Sequence, residues 1–143
     1  MSHLSASRFL ADEAATLAFA RTLIERLGTS SVVFLHGQLG AGKTTLVRGI
    51  LRALGHDGVV KSPTYTLLEP YEIGDRMIYH FDLYRIADSE ELDFIGIDEL
   101  MDAEAIKFVE WPEHGGRRLP PADVDIHLSL EGEGRRIEVF THS

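Results

Sequence analysis

Residues 31–46 read Ser31-Val32-Val33-Phe34-Leu35-His36-Gly37-Gln38-Leu39-Gly40-Ala41-Gly42-Lys43-Thr44-Thr45-Leu46. Positions 32–35 are apolar without alternation, as in a central parallel strand covered on both faces. Residues 37–44 then match G-x-x-x-x-G-K-[ST] in full. Each position has a physical reason. Backbone N–H groups turn inward around a phosphate, and glycines permit this without a Cβ clash. The following helix points its positive end at the same anion. Lys43 can reach the β- and γ-phosphates, and Thr44 can offer its hydroxyl to Mg²⁺. The motif needs a strand before it and a helix after it. The helix is legible in Leu46, Val47, Ile50, Leu51 and Leu54, with Gly55 as its stop. A chance glycine-rich turn of this form arises roughly once in a few hundred chains of this length. The expectation is Mg²⁺-dependent nucleotide binding.

Outward from this core, residues 7–11 read as a short strand. Asp12 can cap a helix, with Glu13 in its first turn where the dipole favours an anion. Leu17, Ala20, Ile24 and Leu27 form a helical stripe that Gly28 ends. Residues 65–73 and 77–84 read as a strand pair around Gly74-Asp75. Asp88 with Glu91 three residues on is a capping-box start for a short helix through Ile95. Residues 105–110 are another apolar run. Residues 124–130 and 135–141 alternate around Gly132 and Gly134, a terminal hairpin. This order predicts an α/β fold: a P-loop NTPase-like three-layer domain with a mixed, mostly central parallel sheet and a C-terminal antiparallel hairpin. Residues 1–143 are expected to form a single nucleotide-binding domain.

Composition narrows the function classes. The chain has 143 residues, 44% hydrophobic and 26% charged, with a formal net charge of −9. So acidic a domain has no electrostatic footprint for polyphosphate, which disfavours binding DNA or tRNA directly. There is no cysteine, so disulfides, iron–sulfur clusters and thiol nucleophiles are excluded. Residues 1–17 lack a basic start followed by an apolar stretch, and no apolar run approaches ~20 residues. A cytoplasmic protein with no membrane association is expected.

Two acids follow apolar runs. Asp82 ends Met77-Ile78-Tyr79-His80-Phe81, and Glu110 ends Ala105-Ile106-Lys107-Phe108-Val109. Either can hold Mg²⁺ or orient an attacking water, and both are expected near the Thr44 hydroxyl. Ser62-Pro63-Thr64-Tyr65-Thr66 lies where switch loops sit, and a threonine such as Thr64 can sense a γ-phosphate; an ordinary proline turn is the other reading. Asp93-Phe94-Ile95-Gly96 fits the D-x-x-G of GTPases but follows a polar helix start, and reads as helix. The chain contains no asparagine, so an N-K-x-D guanine motif cannot exist. His80 and Asp82 share a strand face, too few ligands for zinc. The remaining histidines are scattered along the chain and read as structural or surface residues. Trp111-Pro112 reads either as a lid or partner contact or as the end of a core strand.

Four motifs now stand in order: residues 37–46, Lys61-Ser62-Pro63-Thr64-Tyr65-Thr66-Leu67, His80-Phe81-Asp82-Leu83-Tyr84-Arg85, and Val109-Glu110-Trp111-Pro112-Glu113. Together they resemble the bacterial TsaE (YjeE) family from about residue 12 to residue 125. The resemblance implies the ATPase subunit of the tRNA threonylcarbamoyladenosine system, working with TsaD and TsaB. The modified base is the adenosine next to the anticodon in tRNAs reading codons that start with A. It implies ATP or ADP on Gly37, Gly40, Ala41, Gly42, Lys43, Thr44 and Thr45, with Thr64 in the switch segment. It also implies Mg²⁺ near Thr44, Asp82 and Glu110, with Lys43, Asp82 and Glu110 as the catalytic set. Gln38 departs from the aspartate usual after the first glycine. Residues near Ala11 and Asp12 are candidates to flank the base. No arginine-rich lid is evident, and Arg85, Arg117 and Arg118 carry no assignment. Without an internal arginine finger, hydrolysis should be slow alone and faster within a complex, with tRNA reached only through the partners. A small-molecule kinase and a regulatory switch without meaningful turnover are the alternatives.

Overall fold

The computed structural model describes residues 2–38, 40–63 and 66–142. Among the described residues seven strands form one sheet: β1 (Ser2–Leu10), β2 (Ser31–His36), β3 (Leu68–Ile73), β4 (Arg76–Asp82), β5 (Ile106–Glu110), β6 (Val124–Glu131) and β7 (Gly134–His142). Their order is β1-β7-β6-β2-β5-β4-β3. The four central strands, β6, β2, β5 and β4, run parallel. The outer strands β7, β1 and β3 are antiparallel to their neighbours. This is the expected mixed α/β sheet, with the expected C-terminal hairpin formed by β6 and β7.

Helices α1 (Glu13–Leu27) and α2 (Lys43–Leu54) cover one face. The Asp12 side chain accepts from the Ala15 N–H at 2.9 Å, so the helix starts where the sequence places its cap. Its buried face runs through Phe19, Ala20, Leu23 and Leu27. The expected stripe through Leu17 and Ile24 lies one position round. Both stripes share Ala20 and Leu27, and Leu17 and Ile24 are half-buried at the margin of that face. Phe19, Leu23, Leu46 and Ile50 meet Val33, Leu35, Phe108 and Ile126 in the larger core.

The opposite face is covered over β4, β5 and β2. There Val32, Phe81 and Val109 pack against Leu92, Ile97 and Met101. Leu92 lies in a 3₁₀ segment, Ser89–Ile95, which begins with the expected Asp88–Glu91 capping box. Ile97 and Met101 lie in a short helix, α3 (Ile97–Asp102), absent from the sequence reading. Beyond β2 the same face turns polar. His36 and His142 each place Nε2 2.5 Å from an Asp125 carboxylate oxygen, and the His127 ring stacks on His36. These histidines, scattered in sequence, therefore converge in space. Burial resists ionisation of Asp125, but hydrogen bonds from His36 and His142 prevail and hold its carboxyl below the usual range.

The two covering helices approach closely at Gly49. A Cβ there would lie 2.9 Å from Ala20 Cβ and 3.3 Å from Leu17 Cα, neither of which can swing away. Gly49→Val should therefore lower the unfolding free energy by about 1–3 kcal/mol, read as a lower denaturant midpoint at unchanged slope.

Candidate nucleotide site

The parallel strands β2, β4 and β5 end at the same edge, where ligands gather in open α/β sheets. The loop from β2 into α2 crosses this edge. Gly37 presses against β6: a Cβ there would lie 2.6 Å from the Leu128 carbonyl oxygen. Gly42 holds φ +100°, a left-handed conformation that L side chains disfavour, and hands directly to α2. The loop is thus a cradle only glycine can line at these points. Leu39 and the proposed sensor Thr64 lie outside the described residues, as does Tyr65.

Lys43 opens α2 and is 5% exposed. Its ammonium donates to the Gly37 carbonyl at 2.6 Å, lies 3.9 Å from Glu110 Oε1 and sits 4.2 Å from the centroid of the Trp111 ring. Burial lowers its pKa, while the charges of Glu110, Asp82 and Glu113 oppose that shift. A buried cation beside a glycine cradle is well placed to meet an anion. Trp111 adopts φ +58°, ψ +50°, a strained conformation for a bulky residue. The turn places its ring against Lys43 and beside Tyr84 and His114. Trp111 directly follows β5 and packs, partly buried, against the smaller core, in keeping with the strand-end reading.

Asp82 and Glu110 end neighbouring parallel strands in register. They line one cavity of about 300 Å³ with Lys43, Thr44, Thr45 and Ser62. Asp82 Oδ1 accepts the Tyr84 N–H at 3.0 Å. Glu110 Oε2 is 2.6 Å from Nε2 of fully buried His80. A carboxylate only accepts, so that nitrogen carries the proton. His80 Nδ1 has no partner among the described residues. The sequence reading weighed His80 only as a metal ligand. Its contact with Glu110 depends on the β4–β5 register, which no local pattern displays.

Arg135 is the other residue the sequence reading passed over. It follows Gly134 at the start of β7 and donates to the Gly40 carbonyl at 3.1 Å. It lines the cavity of the two acids and a second cavity of about 300 Å³ bounded by Leu10, Ala11, Asp12, Thr16 and Glu133. Of the three unassigned arginines, Arg118 pairs with Asp93 instead.

Thr44, Asp82 and Glu110 offer hard oxygen donors suited to Mg²⁺. Among the described residues no group of three or more His, Cys, Asp or Glu side chains is arranged to hold a metal ion. Mg²⁺ takes one or two carboxylates together with substrate phosphates and waters, and Asp82 and Glu110 could supply the carboxylates. Among the described residues no helix is long and apolar enough to cross a membrane.

Comparisons with known proteins bear on the family. A family model described as threonylcarbamoyl adenosine biosynthesis protein TsaE matches residues 10–137. The chain is 45% identical over 144 residues to the tRNA threonylcarbamoyladenosine biosynthesis protein TsaE of Haemophilus influenzae, covering 97% of this chain and 91% of that protein. It is 34% identical over 126 residues to the protein of the same name from Bacillus subtilis, covering 88% and 78%. A crystal structure of Bacillus subtilis YdiB superposes with a TM-score of 0.83 at 26% identity, covering 100% of this chain and 88% of that one.

Proposed function

The chain belongs to the TsaE family of tRNA threonylcarbamoyladenosine biosynthesis proteins, and we propose that it is the ATP-binding, slowly hydrolysing subunit of that system. In this reading it acts in the cytoplasm with TsaD and TsaB and reaches tRNA only through them. The observation that carries the proposal is the meeting of Lys43, Thr44, Asp82 and Glu110 in one cavity beside the glycine cradle.

Backbone N–H groups of residues 37–45 bind the phosphates, and Lys43 exchanges its carbonyl partner for the β- and γ-oxygens. Thr44 and Asp82 would hold Mg²⁺, which would neutralise charge on the phosphate oxygens. Glu110 orients the attacking water: His80 fixes one carboxylate oxygen and the other faces Lys43. The base lies across Thr45 in the second cavity, against Leu10 and Ala11. A negatively charged chain is suited to docking on a basic partner rather than on tRNA itself.

His80 is then a positioning residue for Glu110. His80→Phe should lower kcat about tenfold with little change in nucleotide affinity, and His80→Gln, which keeps an N–H donor, should recover part of the loss. Steady-state kinetics with a parallel ADP titration measures both.

The cellular role is tested by depleting a bacterium of its own TsaE and supplying this chain. Mass spectrometry of digested tRNA should show threonylcarbamoyladenosine restored by the wild-type chain and not by Glu110→Gln. Restoration by both would overturn the hydrolytic role. Restoration by neither would overturn the assignment.

A further inference from the structure

The two cavities flanking the glycine loop share a ridge made of Gly42, Thr45 and Arg135. The reacting groups, Lys43, Asp82 and Glu110, all lie on one side of it. A nucleotide with its terminal phosphates among them enters the second cavity by crossing that ridge. Arg135 stands at the crossing.

The electrostatic setting makes a cation there consequential. The second cavity is lined by Asp12, Glu13 and Glu133, with Arg135 the sole cationic residue on its wall among the described residues. In the first cavity Arg135 and Lys43 face Asp82 and Glu110. Lys43 is committed to the reacting end. A polyphosphate entering between two groups of carboxylates needs a second cation.

The fold holds that cation in place. Arg135 lies on β7, which pairs with β6, and β6 pairs with β2, the strand that feeds the loop. Gly134 packs so closely on β1 that a Cβ would lie 2.5 Å from the Leu10 carbonyl oxygen. From this base the guanidinium spends one N–H on Gly134 and one on Gly40, both neutral carbonyls, each at 3.1 Å. A guanidinium has five N–H groups in a planar fork that matches phosphate oxygens, and bonds to charged acceptors are about twice as strong as bonds to neutral ones.

Resting on the nucleotide reading above, we propose that Arg135 is a nucleotide-binding residue supplied by the C-terminal hairpin. It grips the α- and β-phosphates where they cross the ridge. It is assigned to the ridge rather than to the transferring group because it also lines the second cavity, whose wall contains none of Lys43, Asp82 and Glu110. This assignment is compatible with slow hydrolysis by the isolated chain. It also gives the terminal hairpin a task in ligand retention.

The test compares wild type, Arg135→Lys and Arg135→Gln by calorimetric titration with ADP and with ATP, and by kcat and KM with TsaD and TsaB present. Arg135→Gln keeps a donor for the Gly40 carbonyl without the charge. The expected result is a loss of affinity on the order of 10–100-fold, similar for ADP and ATP, with a smaller loss in Arg135→Lys. The kinetic loss should fall in KM rather than kcat. Increasing salt should weaken wild-type binding more than Arg135→Gln binding. Undiminished affinity in Arg135→Gln would overturn the proposal and leave Arg135 a strut for the loop. A fall in kcat with unaltered ADP affinity would overturn it in favour of a finger. Wild-type protein that binds neither nucleotide would refute the nucleotide reading itself, and this inference with it.

Discussion

Glu110→Gln, assayed with TsaD and TsaB present, should lose ATP turnover by about 100-fold or more while binding ATP within a few-fold of wild type. The substitution is isosteric. Its amide oxygen can still accept from His80 Nε2, so the buried contact at 2.6 Å survives. The carboxylate charge that faces Lys43 at 3.9 Å is lost. The affinity prediction follows from the same geometry: removing an anion from beside the Lys43 ammonium does not disfavour an incoming phosphate. A loss of affinity as large as the loss of rate would place Glu110 in binding rather than in hydrolysis. Asp82→Asn should behave differently, with a loss that higher Mg²⁺ partly relieves.

Lys43→Met should weaken ATP binding on the order of 100-fold or more, and ADP binding by less. Methionine keeps most of the aliphatic stem against Trp111 and removes the ammonium that meets the phosphates. The difference between the two nucleotides is the sharper part of the prediction. Lys43 is expected to reach both the β- and γ-oxygens, so ADP forfeits one contact and ATP two. Equal losses would mean that Lys43 acts only on the β-phosphate. Unaltered binding of both would remove the glycine loop from nucleotide recognition.

The parts of this fold legible in the sequence are those with local causes. Asp12 caps α1 through a bond three residues away. The unbroken apolar run of β2 and the glycine–lysine loop are contiguous, so their strand–loop–helix order follows directly. The Asp88–Glu91 box was visible for the same reason, although the segment it starts is 3₁₀ rather than α. Helix α3 is not legible in the sequence because it is short, and Gly96 starts it without a side-chain cap. Strand β1 begins at Ser2, earlier than expected, because its pairing with β7 rather than apolar content defines it.

The site divides in the same way. Asp82 and Glu110 were legible because each closes an apolar run. His80 and Arg135 were not. One reaches Glu110 through strand register, and the other reaches Gly40 through a hairpin paired to β2 by way of β6. Contacts of that kind are set by the sheet as a whole.

On the proposed function, this chain hydrolyses ATP as a subunit and needs its partners to do so. Steady-state ATP turnover of the purified chain, alone and then with TsaD and TsaB, tests it directly, with Glu110→Gln as the control. The expected result is very slow turnover alone, a marked rise with both partners, and no rise in the mutant. Vigorous hydrolysis by the isolated chain, or turnover indifferent to the partners, would contradict it.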